Sequence, residues 1–343
     1  MRRWTNQALF VLLGLAFVTG WVAFFYGTAP SRVSLILHAV SGYAIIALTP
    51  WKVLIAARGI QRRRPGWWAS LVFTALVVTS VLAGILHSTG LLIAVGAISA
   101  MEVHVGAALA AIPFVAWHVI ARRIPVRAVD LSRRNLLRAG ALLTGAGLAY
   151  VAGEGAVRLL SLPGSARRFT GSYEYGSLQP VQLPVTQWMF DAVPEIDPSR
   201  WRLAVQAGAA VREWTYDELL AFDDRVRATL DCTGGFYSTQ DWSGVWLSRL
   251  LDLSPSPMAG EGRGGGSSLH VRSVTGYDRR FAARDVGRLL VATRLGGMPL
   301  DPGHGFPVRL VAPDQRGFWW VKWVAAITLD QLPAWWQAPF PMQ

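Results

Sequence analysis

Ser132-Arg133-Arg134-Asn135-Leu136-Leu137-Arg138, followed by the small, apolar run 139–153, divides this 343-residue sequence into two unlike halves. Before it lie four long apolar runs, at 8–26, 33–57, 67–87 and 101–121. A fifth, at 136–157, begins within the dividing stretch itself. About 20 mostly apolar residues suffice to cross a bilayer as a helix, so the pattern predicts five crossings. Beyond them, apolar residues come in short runs bounded by turn formers, as in a water-soluble domain. The composition agrees with a mixture of the two: 52% hydrophobic and only 16% charged residues, where soluble domains carry about 25% charged.

Only Lys52 and Lys322 among the 33 basic residues are lysines; the rest are arginines. A net charge of +12 is one signature of nucleic-acid binding. In the first half, however, most of the arginines sit between the apolar runs, so no nucleic-acid partner is expected. They fix an orientation instead. Arg2 and Arg3, then Arg58, Arg62, Arg63 and Arg64, then Arg122, Arg123, Arg127, Arg133, Arg134 and Arg138 fall on one side, against Arg32 alone on the other. The positive-inside rule makes the first side cytoplasmic, and five crossings then place everything after about residue 160 outside, on the periplasmic face of a bacterial cell membrane. The short apolar stretch 91–98 reads as an interfacial segment on the outer side. The 132–138 stretch also resembles a twin-arginine export signal, with Leu136 and Arg138 as conservative replacements; the alternative is a plain positive-inside flank.

Four of the six histidines, His38, His87, His104 and His118, lie in the first four apolar runs. Ionisable side chains are costly in a bilayer and mark functional candidates. His104 and His118 are 14 residues apart, which on a helix puts them on nearly one face and about 21 Å apart along the axis. His38 and Lys52 repeat this spacing. Trp51-Lys52-Val53-Leu54-Ile55-Ala56-Ala57-Arg58 also echoes Trp117-His118-Val119-Ile120-Ala121-Arg122. The second and fourth crossings therefore read as two copies of one motif, with His38 and His104 at the same outer depth. Two neutral imidazoles facing across a bundle are what a b-type haem needs as axial ligands, and the arrangement resembles the membrane cytochrome b families. One haem b is expected at His38 and His104. Lys52 opposite His118 makes a second haem doubtful, and His118 is left as a candidate ligand. His87 is an alternative outer ligand or a quinone-site residue.

After a linker at 161–186, the region 187–332 reads as an α+β domain large enough to bury its own core, followed by a tail at 333–343. Strands are expected at 202–205, 226–230, 269–273, 308–311 and 320–329, and helices at 216–222 and 245–251. The glycine-rich run 254–268 lacks the frame of a phosphate-binding loop and reads as a flexible insertion. The sole cysteine, Cys232, excludes an intrachain disulfide and a four-cysteine metal site. It ends an expected strand and opens the loop Thr233-Gly234-Gly235-Phe236-Tyr237, which continues into Trp242-Ser243-Gly244-Val245. A second segment, His304-Gly305-Phe306-Pro307-Val308-Arg309, continues through Arg316-Gly317 to Val321-Lys322-Trp323.

With both segments in view, the region resembles the sulfite oxidase family of molybdopterin enzymes. The resemblance implies that Cys232 ligates molybdenum, a soft thiolate suiting that metal, and that His304, Arg309 and Lys322 bind the pterin and its phosphate, with Arg316 a weaker candidate. Sulfite-oxidising members typically carry an arginine four residues after the cysteine. Here that position is Phe236, which looks more like the methionine-sulfoxide-reducing branch, whose partner is also a haem membrane protein. Tyr237 and Tyr277 are candidate hydrogen-bond donors in catalysis, or packing residues. The implied whole is a multi-domain chain. A four-helix cytochrome b-like bundle at 1–130 and a fifth transmembrane helix at 131–160 precede a molybdopterin domain that exchanges an oxygen atom with a small-molecule acceptor or donor and electrons with quinone. The rival readings are a non-enzymatic haem electron conduit and a plain membrane anchor with a non-catalytic outer domain.

Overall fold

The computed structural model describes residues 2–61, 66–96, 98–121, 125, 127–187, 191–251 and 268–338. Arg62, Arg63, Arg64, Arg122 and Arg123, which carry much of the expected charge asymmetry, lie outside the described residues, as do 254–267 of the glycine-rich run. The chain forms two compact units, one of residues 1–173 with 233–235, the other of 174–232 with 236–343.

The first unit is built on five helices long and apolar enough to cross a membrane: α1 (Arg2–Phe25), α2 (Arg32–Gln61), α3 (Trp67–Thr89), α4 (Ala100–Ala121) and α5 (Arg133–Leu159). The helices overrun several of the expected ends because the flanking arginines, asparagine and glutamine are compatible with helix, and an apolar count stops short of them. α1 packs on α2, α3 on α4, and α2 also on α5. Small residues line these contacts, with Ala44 fully buried and Ala69, Ala83, Ala107, Ala111 and Ala146 nearly so, as expected where helices in an apolar medium associate by close backbone approach. The Arg3 guanidinium meets Asp130 at 2.6 Å and holds its carboxyl well below the usual carboxylate range. The stretch 91–98, expected as an interfacial segment, contains most of a small antiparallel hairpin, β1 (Ala94–Val95) and β2 (Ile98–Ser99).

The second unit holds two sheets. The strands of the first are β3 (Tyr173–Glu174), β6 (Asp224–Asp231), β7 (Phe236–Trp246), β10 (Leu290–Leu295), β11 (Met298–Pro299) and β12 (Arg309–Val311). β7 and β10 pair at its centre. The second sheet has the order β5 (Ala210–Thr215), β4 (Arg202–Ala207), β13 (Val324–Asp330), β8 (Ser268–Ser273) and β9 (Asp278–Ala282). All its pairs are antiparallel except β4 with β13. Two short helices, α6 (Tyr216–Leu220) and α7 (Leu247–Leu250), complete the unit; a capping box between Thr215 and Glu218 starts α6.

Three expectations are corrected here. Phe236 and Tyr237, read as part of a loop, open β7, the longest strand among the described residues; the expected helix at 245–251 shrinks to one turn because Trp242 and Val245 are drawn into the core. The strand expected at 320–329 begins only at Val324, since Trp323 takes a left-handed backbone (φ +50°) that breaks the ladder. The expected linker at 161–186 is structured: Tyr175 and Leu178 donate backbone bonds to Tyr237 and Thr239 along β7, and Leu183 joins the core. At the free edge of the second sheet, the Gln337 amide accepts from the Arg280 N–H and donates to the Arg280 carbonyl, each at 3.0 Å, which blocks pairing by another chain.

Leu290, Val291 and Ala292 of β10 are fully buried. Replacing Leu290 by Ala removes about 2–5 kcal/mol, so the unfolding midpoint should fall by roughly 5–15 °C in a thermal melt followed by circular dichroism. An unchanged midpoint would place β10 outside the core.

Candidate active site and haem-ligand pair

Cys232 stands just after β6, where its N–H donates to the Phe236 carbonyl at 2.8 Å and closes the loop that presents the thiol. The backbone is held from behind. The Arg316 Nη2 donates to the Cys232 carbonyl at 3.1 Å, and its Nε lies 3.7 Å from the buried Asp231 carboxylate. A Cβ at Gly317 would stand 3.2 Å from the Cys232 Cα, so glycine there lets the two segments pass closely without displacing the cysteine backbone. Arg316, expected as a cofactor ligand, thus positions the cysteine loop. Thr186 Oγ1 lies 3.8 Å from the Cys232 Sγ.

Arg309, His304 and Lys322 surround the same region. Arg309 is 2% exposed, its guanidinium over the rings of Trp242 and Trp320 at 5.1 and 5.7 Å. Its Nη2 reaches only the Trp320 carbonyl at 3.5 Å, and neither Nε nor Nη1 has an acceptor among the described residues. Burial pushes its pKa down to about 9, opposed by the charge of Cys232. His304 is buried and pushed down to about 4, by desolvation first and then by the positive charges of Arg309 and Lys322. Lys322 is pushed down to about 7, again by burial first and then by Arg309. Its ammonium donates to the carbonyls of Thr186 and Gly303, both at 2.6 Å, and to Gln187 Oε1 at 3.2 Å. The lysine therefore ties 186–187 to 303. A cleft of about 460 Å³, lined in part by Pro302 and Phe306, opens beside this segment.

The two candidate tyrosines differ. Tyr277 is buried, donates its hydroxyl proton to the Phe318 carbonyl and is raised to about 12 by burial. Tyr237 is half-buried at the start of β7. Sequence reasoning missed Asp231, Thr186 and the tryptophan seat of Arg309, because each acts through a neighbour distant in sequence. It also missed Arg279, fully buried beside Tyr277, Phe318 and Trp319; nothing in the sequence separates it from the exposed arginines.

In the helical unit, the His38 and His104 rings lie 5.6 Å apart at 88°. Each Nδ1 is 2.7 Å from a backbone carbonyl of a neighbouring helix, Ala16 for His38 and Ser80 for His104. A carbonyl only accepts, so both Nδ1 atoms carry the proton, and neither Nε2 meets a partner among the described residues, the orientation a metal-bound histidine requires. His118 stands apart from this pair, its Nδ1 3.4 Å from Ser70 Oγ. His87 is committed elsewhere, with Nε2 2.7 Å from the Gly171 carbonyl and its ring against Tyr173.

Residues 190–335 match the family described as "Oxidoreductase molybdopterin binding domain". The chain is 31% identical over 190 residues to a nitrate reductase [NAD(P)H] of Hordeum vulgare, covering 45% of this chain and 21% of that one. It is 27% identical over 172 residues to the mitochondrial sulfite oxidase of Mus musculus, covering 40% and 30%. A solved structure, the sulfane dehydrogenase SoxCD from Paracoccus pantotrophus, aligns over 40% of each chain with 24% identity and a TM-score of 0.35. The second unit therefore carries a molybdopterin-binding oxidoreductase domain with nitrate reductase and sulfite oxidase homologues. The chain spans about a fifth to three-tenths of those two relatives.

The residues present fit that cofactor. A buried guanidinium whose Nε and Nη1 meet no acceptor among the described residues calls for an anion, which a pterin phosphate supplies. Among the described residues no three His, Cys, Asp or Glu side chains converge on a metal position.

Without the cofactor, folded Lys322 loses its proton near pH 7 and the unfolded chain near 10.5. The unfolded state then binds more protons across that window, so stability rises with pH. Protein made in cells lacking the pterin cofactor should melt at higher temperature at pH 9 than at pH 7, and Lys322→Met should flatten the rise. A midpoint that falls over this range would refute the assignment.

Proposed function

We propose that this chain is a membrane-anchored molybdenum oxidoreductase that transfers an oxygen atom on the extracytoplasmic face and exchanges electrons with quinone through a haem b. The observation that carries the enzymatic part is the fully buried Arg309, whose Nε and Nη1 meet no acceptor among the described residues, held in electrostatic range of the single cysteine. The cofactor, when bound, supplies the two-electron oxygen-atom transfer.

The protein's own residues bind and orient. Cys232 offers the thiolate, on a loop held by its own N–H bond to Phe236 and by Arg316 acting through the Cys232 carbonyl. Arg309 supplies charge, and Arg309 and His304 supply hydrogen bonds, for an anionic phosphate. Lys322 holds the neighbouring backbone in place and adds a further cationic group. Tyr277 fixes the Phe318 backbone with its hydroxyl proton, and Tyr237, half-buried at the start of β7 beside the cysteine loop, is the tyrosine we assign to the substrate side. Phe236 in place of an arginine favours a neutral oxo compound such as a sulfoxide over sulfite.

The haem is supported by the His38 and His104 pair, whose Nδ1 protons are both spent on backbone carbonyls. The extracytoplasmic location rests on the arginine asymmetry and on the likeness of 132–138 to a twin-arginine signal. Bilayer lipid is the surrounding medium for the five helices.

Elemental mass spectrometry on detergent-purified protein should give close to one molybdenum and one iron per chain. Cys232→Ser and Arg309→Met should each lower molybdenum at least tenfold and leave iron unchanged. Iron without molybdenum, from cells competent in cofactor synthesis, would remove the enzyme reading. His104→Ala should abolish the reduced-minus-oxidised haem bands, and bands that survive would remove the ligand pair.

A further inference from the structure

The helical unit repeats itself in its contacts as well as its sequence. His38 and His104 are 66 residues apart, and so are Lys52 and His118. The groups that meet them are all 64 apart. Ala16 and Ser80 take the Nδ1 protons of the two histidines. Gly20 and Gly84 make room for the same rings: a Cβ at Gly20 would stand 3.0 Å from the His38 ring, and one at Gly84 2.9 Å from the His104 ring. Asn6 and Ser70 meet Lys52 and His118, at 3.0 and 3.4 Å. α1 packs on α2 as α3 packs on α4. Partners that recur at fixed offsets in both hairpins mark one hairpin used twice.

We propose that α1–α2 and α3–α4 are two copies of one haem-holding hairpin with two levels, 14 residues apart, and that Lys52 bars haem from the second level. The inference rests on the haem reading above. At the first level both copies present an imidazole whose Nε2 meets no partner among the described residues. At the second, one copy presents His118, met at Nδ1 by the Ser70 hydroxyl. The other presents an ammonium, which has three donors and no lone pair for iron. Its neighbour differs in the same sense: the Asn6 amide oxygen accepts from the ammonium, where the matching Ser70 hydroxyl meets an imidazole. The bundle then holds one haem, and electrons enter and leave it at the level of His38 and His104 instead of being relayed along its length.

The test counts haem per chain, by the alkaline pyridine spectrum of full-length protein from haem-replete cells, with a redox titration of the same samples. The native chain should carry one haem. Lys52→His should carry two and show a second titration step, while Lys52→Met should stay at one. Two haems in the native chain would overturn the proposal, as would Lys52→His remaining at one with its spectrum intact. A native chain with no haem would instead sink the haem reading on which the proposal depends. Should Lys52→His fail to accumulate, His118→Ala in the native chain serves: it should keep its single haem, and loss of that haem would overturn the assignment.

Discussion

Taking a guanidinium out of water without a counter-charge costs several kcal/mol, and the second unit does this at Arg309. The indole faces of Trp242 and Trp320 repay part of that cost through cation–π contact, and both rings lie in the core. The rest is left standing, as a depressed pKa and two guanidinium nitrogens without acceptors among the described residues. The neighbouring His304 and Lys322 are depressed too, by burial first and then by the positive charge of Arg309. A site kept in this state is shaped for an anion, and the strand-rich frame serves to hold it. β7 carries Trp242, β12 carries Arg309, and both pair with β10.

The helical unit solves a related problem with neutral groups. A histidine in an apolar helix bundle needs a partner for its ring N–H, and the carbonyls of Ala16 and Ser80 supply one without adding charge. The carbonyls of an α-helix are already engaged with its own N–H groups, so each accepts a second bond through its spare lone pair. Glycine four residues further on, at Gly20 and Gly84, clears the space for the ring. Two helices thus fix one ring, and the contact repeated in α3–α4 brings a second ring beside the first.

Much of this was legible in the sequence, for identifiable reasons. Helices in an apolar medium are announced by long apolar runs, so all five were found, with errors confined to ends where polar residues continue the helix. The 14-residue spacing could be read as a shared helix face because helical geometry converts spacing directly into direction. β7 was missed because its residues 236–246 open next to glycines and mix polar with aromatic residues, and only burial on both faces makes them a strand. The support that Arg316 gives the Cys232 loop was illegible for a related reason. The arginine's type suits a phosphate, but its position behind the Cys232 carbonyl follows from a bridge between Asp231 and Arg316 that no local pattern reveals.

The amino-acid sequence by itself determined that the chain has a half of helices long and apolar enough to cross a membrane and a globular half, that its only thiol stands at Cys232, and that four histidines fall in the apolar runs. Those are properties of composition and period, which the chain carries before it folds. The tertiary structure alone decided which groups act together. It brought His38 to His104 and withdrew His87 toward Gly171, engaged Tyr277 with a backbone carbonyl, turned Arg316 into a support, and isolated Arg309 among tryptophans. Each of these depends on what surrounds a polar group once water is excluded, and that environment exists only when the elements have packed.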